Sequence, residues 1–172
     1  MGDFLLIHWQ IVLATTLVAI VIVFALLSLR EGPLPYERKH GLLSPAEITF
    51  LRSLQNAVRE DWIVFSMVRL ADIIKVSAKT RQFQSWQNQI FGRHVDFVLC
   101  DQETLEVKLA IELDDATQRR PDRTKRDAFV NNAMAAAGLP LMRIRVDSKY
   151  ESAILRKDIE NALGIIHRKK KR

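Results

Sequence analysis

The chain has 172 residues, 48% of them hydrophobic, and a formal net charge of +6, enough for one ordinary domain with a buried core and too little for two. Arg168 to Arg172 alone carry five positive charges, whereas Glu31 to His167 holds 20 Lys and Arg against 19 Asp and Glu, so the folding part is close to neutral and its bulk charge identifies no partner. The single cysteine, Cys100, excludes an internal disulfide, fits a reducing compartment and sits in an apolar run that reads as core.

The first predicted element is an apolar helix. Phe4 to Leu29 contains no charged residue, and a bilayer's hydrocarbon core takes about 20 apolar residues to cross. Its polar members are His8, Gln10, Thr15, Thr16 and Ser28, and the threonine hydroxyls can bond back to carbonyls of the preceding turn. A secretory signal peptide would open with basic residues, but this head carries Asp3 and no Lys or Arg. Residues 1–30 are therefore expected to be a single-pass membrane anchor. Arg30, Arg38, Lys39 and His40 follow the span, and basic flanks favour the cytoplasmic side. The expected location is the inner (cytoplasmic) membrane with the domain facing the cytoplasm.

Residues 31–41, with Gly32, Pro33, Pro35 and Gly41, read as a linker. The domain is expected over residues 42–166. Its first helix starts at the sequence SPAE: Ser44 as cap, Pro45 at the first helical position and Glu47 three residues after the cap. Ile48, Leu51, Leu54, Gln55 and Val58 recur at helical spacing as its buried face, up to Arg59. Trp62 to Val68 is β-branched and aromatic and predicts a strand, with Arg69 to Ile74 continuing it or turning helical. Lys75 to Gln89 is polar and unassigned, its Phe83 and Trp86 expected to pin a loop onto the core. His94 to Cys100, a turn over Asp101 to Glu106, and Val107 to Leu113 predict an antiparallel hairpin. Asp122 to Ala137 reads as a helix closed by Gly138, then a strand from Leu141 to Val146 and a last helix from Glu151 to Leu163. The order is α-β-β-β-α-β-α. The basic tail, residues 167–172, is either solvated or rests on anionic lipid, where each basic residue contributes about 1 kcal/mol.

The chemistry concentrates in the hairpin. His94, Asp96 and Val98 share one face of the first strand, and Ala110, Glu112 and Asp114 one face of the second. If the faces coincide, three carboxylates converge at the hairpin's end, inside otherwise apolar strands. Carboxylates crowded without compensation cost energy, and a hard cation such as Mg²⁺ offsets it while keeping waters for chemistry. His94 reads as a hydrogen-bonded strand-end residue rather than a ligand. Arg69 and Asp72 read as a structural ion pair. There is no Ser-His-Asp order, no glycine-rich phosphate loop and no Cys/His metal spacing.

The stretch HVDFVLCDQETLEVKLAIELDDATQRRPDRTKRDAF, with LLSPAE, VFSMVRLADII and AAAGLPLMRI, resembles a bacterial family, domain of unknown function 2726, of the PD-(D/E)XK nuclease-like superfamily. The resemblance runs from about Leu42 through Val146. It implies a restriction-endonuclease-like αβββαβ core in an α/β (α+β) fold with a mixed sheet, and Mg²⁺ or Mn²⁺ chemistry on DNA or RNA phosphodiesters. By it, Asp96 and Glu112 hold the metal with the backbone carbonyl of Leu113, and Glu47 is an accessory acid. The pattern departs at Asp114, where the superfamily has a lysine that orients water and stabilises phosphorane charge, and at Gln118, where a histidine is expected. Gln118 can orient water but cannot act as a base. The missing positive charge is sought at Arg119, Arg123 or Lys125, although the run RRPDRTKR also reads as a solvated face. Two functions follow from the resemblance: a membrane-anchored metal-dependent nuclease, or a degenerate nuclease fold that binds nucleic acid or protein at the membrane.

Overall fold

A computed structural model describes residues 2–28, 34–114 and 121–165, with only the backbone described for 2–7 and 121–125. The chain divides into two compact units, Met1–His40 and Gly41–Arg172.

The first unit holds one helix, α1 (Gly2–Ser28). His8–Ser28 has a mean hydropathy of 2.9 and no buried residue, which makes it long and apolar enough to cross a membrane. The Thr15 hydroxyl donates to the carbonyls of Ile11 and Val12, Thr16 to Val12 at 2.8 Å and Ser28 to Phe24 at 2.8 Å. These hydroxyls are thus satisfied within the helix, as the sequence pattern required.

The second unit is a mixed α+β domain on a four-stranded sheet. Its first helix, α2 (Pro45–Val58), begins where SPAE predicts. The Ser44 amide donates to Glu47 Oε2 at 2.7 Å and the Glu47 amide to Ser44 Oγ at 3.4 Å, closing both halves of a capping box. The buried face differs from the expected one. Phe50, Leu54, Ala57 and Val58 are buried, whereas Ile48 is 39% exposed and Gln55 is exposed. The sheet selects a stripe rotated toward Phe50 because that aromatic meets Phe97 at 5.3 Å and Tyr150 at 5.0 Å between ring centres.

Then follow β1 (Trp62–Arg69), the single helical turn α3 (Leu70–Ile73), α4 (Phe83–Phe91), β2 (His94–Asp101), β3 (Val107–Asp114), α5 (Pro121–Ala136), β4 (Leu141–Arg145) and α6 (Ser152–Ala162). Helix α4 corrects the expectation of a pinned loop in the second half of Lys75 to Gln89: the chain is helical from Phe83 to Phe91, and Phe83 and Trp86 stay 39% and 45% exposed. Gly138 stops α5 with φ +69°, a left-handed conformation that favours glycine.

The strand order is β1-β2-β3-β4, antiparallel for the first two pairs and parallel for β3 with β4. The β2–β3 turn is held by Asp101, whose Oδ1 accepts the amides of Glu103 and Thr104 and the Thr104 hydroxyl. Alternation divides the sheet. Phe97, Leu99, Leu109, Ile111 and Leu113 pack under α2 and α6 with Leu155 and Ile159. Val98, Cys100 and Ala110 face the other way, toward Val130 and Met134 of α5, Leu70 of α3 and Ile90 of α4. Each fully buried large side chain contributes about 1.5–3 kcal/mol. Cys100 is 5% exposed and burial pushes its thiol pKa up, as suits a core residue.

Candidate functional site

The hairpin register decides whether the predicted acids meet. Phe97 pairs with Ile111 and Val98 with Ala110; one step on, Asp96 stands opposite Glu112, on the face that carries Val98 and Ala110. There the backbone ladder gives way to a side chain: the Leu113 amide donates to Asp96 Oδ2 at 2.7 Å. The carboxylate thus takes a strand amide that a carbonyl would otherwise satisfy.

Both acids sit in places that disfavour their charge. Burial pushes the Asp96 carboxyl above the ordinary range; the Leu113 amide counters this, the Glu47 charge adds to it, and His94 and Arg126 pull it back. Glu112, 9% exposed, is raised first by burial, opposed by Arg143, raised further by Asp96 and Asp127, and opposed again by Arg126. Two desolvated carboxyls of like charge side by side attract a proton or a cation.

Two basic residues answer them. Arg143 lies directly across from Glu112 in the parallel β3–β4 pair. Its Nη2 is 2.7 Å from Glu112 Oε2 and its Nη1 3.7 Å from Asp127 Oδ1, while Nε and Nη2 donate to Asn131 Oδ1 at 3.3 and 3.2 Å. Asp127 and Asn131, one turn apart on α5, therefore aim the guanidinium at the carboxylates. Arg126, exposed on the same helix, adds its charge to both acids.

The other sequence candidates divide as follows. Asp114 ends β3 opposite Arg145, half-buried, and its carbonyl accepts the Val146 amide at 3.0 Å. Among the described residues no group of three or more His, Cys, Asp or Glu stands close enough to share a metal ion, so the hairpin brings together a pair of carboxylates rather than three. Glu47 is engaged in the α2 capping box, and its charge still reaches Asp96. His94 pairs with Arg69 across the sheet and also influences Asp96. Arg69 and Asp72 form the expected ion pair, 3.0 Å at its closest; both are well exposed, so it adds little stability. Gln118 and Arg119 lie outside the described residues, as do the side chains of Arg123 and Lys125.

Three features escaped the sequence. Arg143 and its holders Asp127 and Asn131 are ordinary residues of a strand and a helix, joined only by the β3–β4 register. A basic residue inside a strand that must be mostly buried was the one available signal. The third is Met67, which interrupts the β1–β2 pairing between Ser66–Phe97 and Val68–Val95 and adopts φ +56°. A non-glycine residue held there costs about 1–3 kcal/mol, strain that gathers at functional sites.

Comparison with known proteins matches residues 39–163 to the family described as "Protein of unknown function (DUF2726)". No curated protein matches the chain, and no solved structure does. The match spans well over half of the chain, and the protein belongs to this family.

Proposed function

We propose that this member of the family is a membrane-anchored nuclease of the PD-(D/E)XK type that hydrolyses DNA or RNA phosphodiesters with Mg²⁺ or Mn²⁺. The observation that supports this reading is the opposed pair Asp96 and Glu112, desolvated and mutually repelling on adjacent strands. The donor set fits the ion, since Mg²⁺ is commonly held by one or two carboxylates and keeps several of its waters. Asp96 and Glu112 would hold it, with the Leu113 carbonyl as a further oxygen donor. When bound, the ion would polarise a phosphoryl oxygen and supply an activated water.

Position 114 has no lysine, so positive charge for the transition state has to come from elsewhere. Arg143 and Arg126 stand where they can supply it, their charges already felt by Asp96 or Glu112. Asp114, at the end of β3, would be the group nearest in sequence to Glu112 that could accept a proton from an attacking water. Helix α1 holds the domain at the inner membrane on its cytoplasmic side.

One observation favours a second reading. Arg143 already neutralises Glu112 at 2.7 Å, as it would in a degenerate nuclease fold that binds nucleic acid or protein without cutting. The deciding experiment incubates the full chain, in neutral detergent, with plasmid and single-stranded substrates and millimolar Mg²⁺ or Mn²⁺. Metal-dependent cleavage that disappears in Asp96→Asn and in Glu112→Gln supports the nuclease. Absence of cleavage together with absence of any metal-dependent rise in melting temperature assigns the binding module.

A further inference from the structure

We infer that the segment Ile74–Arg93, which lies between the helical turn α3 and β2, is a docking platform for single-stranded nucleic acid. On it Trp86 and Phe83 stack with bases, and Lys75, Lys79 and Arg81 meet phosphates. This rests on the nucleic-acid reading above, but not on catalysis.

Charge is the first support. Although the domain as a whole is close to neutral, these 20 residues carry Lys75, Lys79, Arg81 and Arg93 and not one Asp or Glu. Lys75, Lys79 and Arg81 are exposed. Such a local cationic run attracts a polyanion even where net charge is small.

The aromatic residues are the second. Helix α4 spends only Ile90 on the core and leaves Phe83, Trp86 and Phe91 at 39%, 45% and 49% exposure. Phe83 and Trp86 lie on one helical face. Trp86 lines an open groove of about 530 Å³ together with Lys75 and with Asn132, Ala133 and Ala136 of α5. Small residues in the lining beside a large flat one leave room for a planar ring. Ile90 and Phe129 also line the groove, and the Arg93 guanidinium lies 4.4 Å from the Phe129 ring centre. A cationic surface with aromatic stacking groups takes any unpaired base, whereas a duplex keeps its base faces covered.

Placement is the third. The Leu70 amide donates to the Arg93 carbonyl at 2.9 Å and Arg69 pairs with His94. Both ends of the segment are therefore tied to the end of the sheet where Asp96 stands. A strand seated on α4 passes the carboxylate pair. A bilayer surface fits this face less well, because α4 also carries Gln84, Gln87, Asn88 and Gln89. Amides lose hydrogen bonds on entering lipid but pair readily with base edges and sugars.

The test uses the full chain in neutral detergent, with the double substitution Asp96→Asn and Glu112→Gln and with EDTA, so that no cleavage or metal enters the readout. The probe is a fluorescently labelled oligothymidylate, compared with a duplex of equal length. The single strand is expected to bind tighter than the duplex and to quench tryptophan fluorescence. Adding Trp86→Leu should weaken binding about tenfold, while Trp86→Phe, which still stacks, should keep most of it. Lys79→Gln with Arg81→Gln should lower the salt slope of log affinity by about 1.4, or about 0.7 per lost phosphate contact. The proposal is overturned if Trp86→Leu, with an unchanged circular dichroism spectrum, binds within twofold of its parent. It is also overturned if lipid-borne quenchers in anionic nanodiscs quench a tryptophan signal that Trp86→Leu removes, which would assign the face to the bilayer. Loss of cleavage with intact binding would remove only the nuclease reading, and intact cleavage without the Trp86 dependence would remove only this one.

Discussion

At the level of single residues, Asp96 and Glu112 set up a measurable pH dependence. Burial raises both folded-state pKa values above the ordinary carboxylate range. Folding then favours the protonated forms, so the pair's contribution to stability is full below the ordinary pKa and is lost as pH rises through the raised values. Melting temperatures of the metal-free chain between pH 4 and pH 8 should show this loss, and Asp96→Asn should flatten it and raise stability near neutrality. A cation bound only by the native pair should restore stability by mass action, about 2.7 kcal/mol at a hundredfold excess over its dissociation constant. Arg143 gives a second expected outcome. Arg143→Ala leaves the nearly buried Glu112 without its partner, at a cost of about 3 kcal/mol, the lower end for a broken buried pair. Because the guanidinium competes with a cation for Glu112, the same variant should bind Mg²⁺ more tightly by calorimetry while cleaving more slowly. The acids themselves were legible, since carboxylates in apolar strands are conspicuous. Arg143 was not, because no periodicity links residue 112 with residue 143.

At the level of elements, local chemistry predicted what it governs. SPAE marked the start of α2 because a capping serine, an early proline and a returning glutamate act within one turn. Ser44→Ala should cost about 1 kcal/mol in chemical denaturation, and it should leave metal binding unchanged unless the loosened Glu47 draws nearer to Asp96. The buried stripe of α2 was misplaced, since Ile48 and Phe50 are equally plausible from spacing and only the ring contacts with Phe97 and Tyr150 choose between them. Over Lys75 to Gln89 the sequence lacks a continuous apolar stripe, and the helix there forms with Ile90 as its single buried residue. The β2–β3 hairpin was readable because alternation and turn residues agree.

For the whole molecule, helix α1 sets where the chain is expected to reside. His8–Ser28 is long and apolar enough to span a bilayer, and the expected outcome is that the full chain fractionates with membranes and resists carbonate extraction. Recovery of a mature chain lacking about its first 25 residues, as cleavage of a signal peptide would leave, would replace the anchor with a secretory leader. A reporter fused after Arg172 should be active only if it works in the cytoplasm, given the basic residues that follow the span. Activity of a periplasm-dependent reporter would reverse the orientation and separate the domain from intracellular nucleic acid.

The sequence by itself determined whatever depends on near neighbours: the apolar helix and its back-bonded hydroxyls, the caps and the hairpin. It also supplied the order of the domain's main helices and strands, because short-range hydrogen bonds and the 3.6- and 2-residue periods are written in adjacent residues. Tertiary structure alone decided the rest. The hairpin register set Asp96 opposite Glu112, and the parallel β3–β4 pairing brought Arg143 to Glu112. The packing of α4 on α5 left Trp86 at an open groove. Each depends on contacts between residues far apart in the chain, whose energies come from burial and charge in a shared, water-poor space that no local pattern specifies.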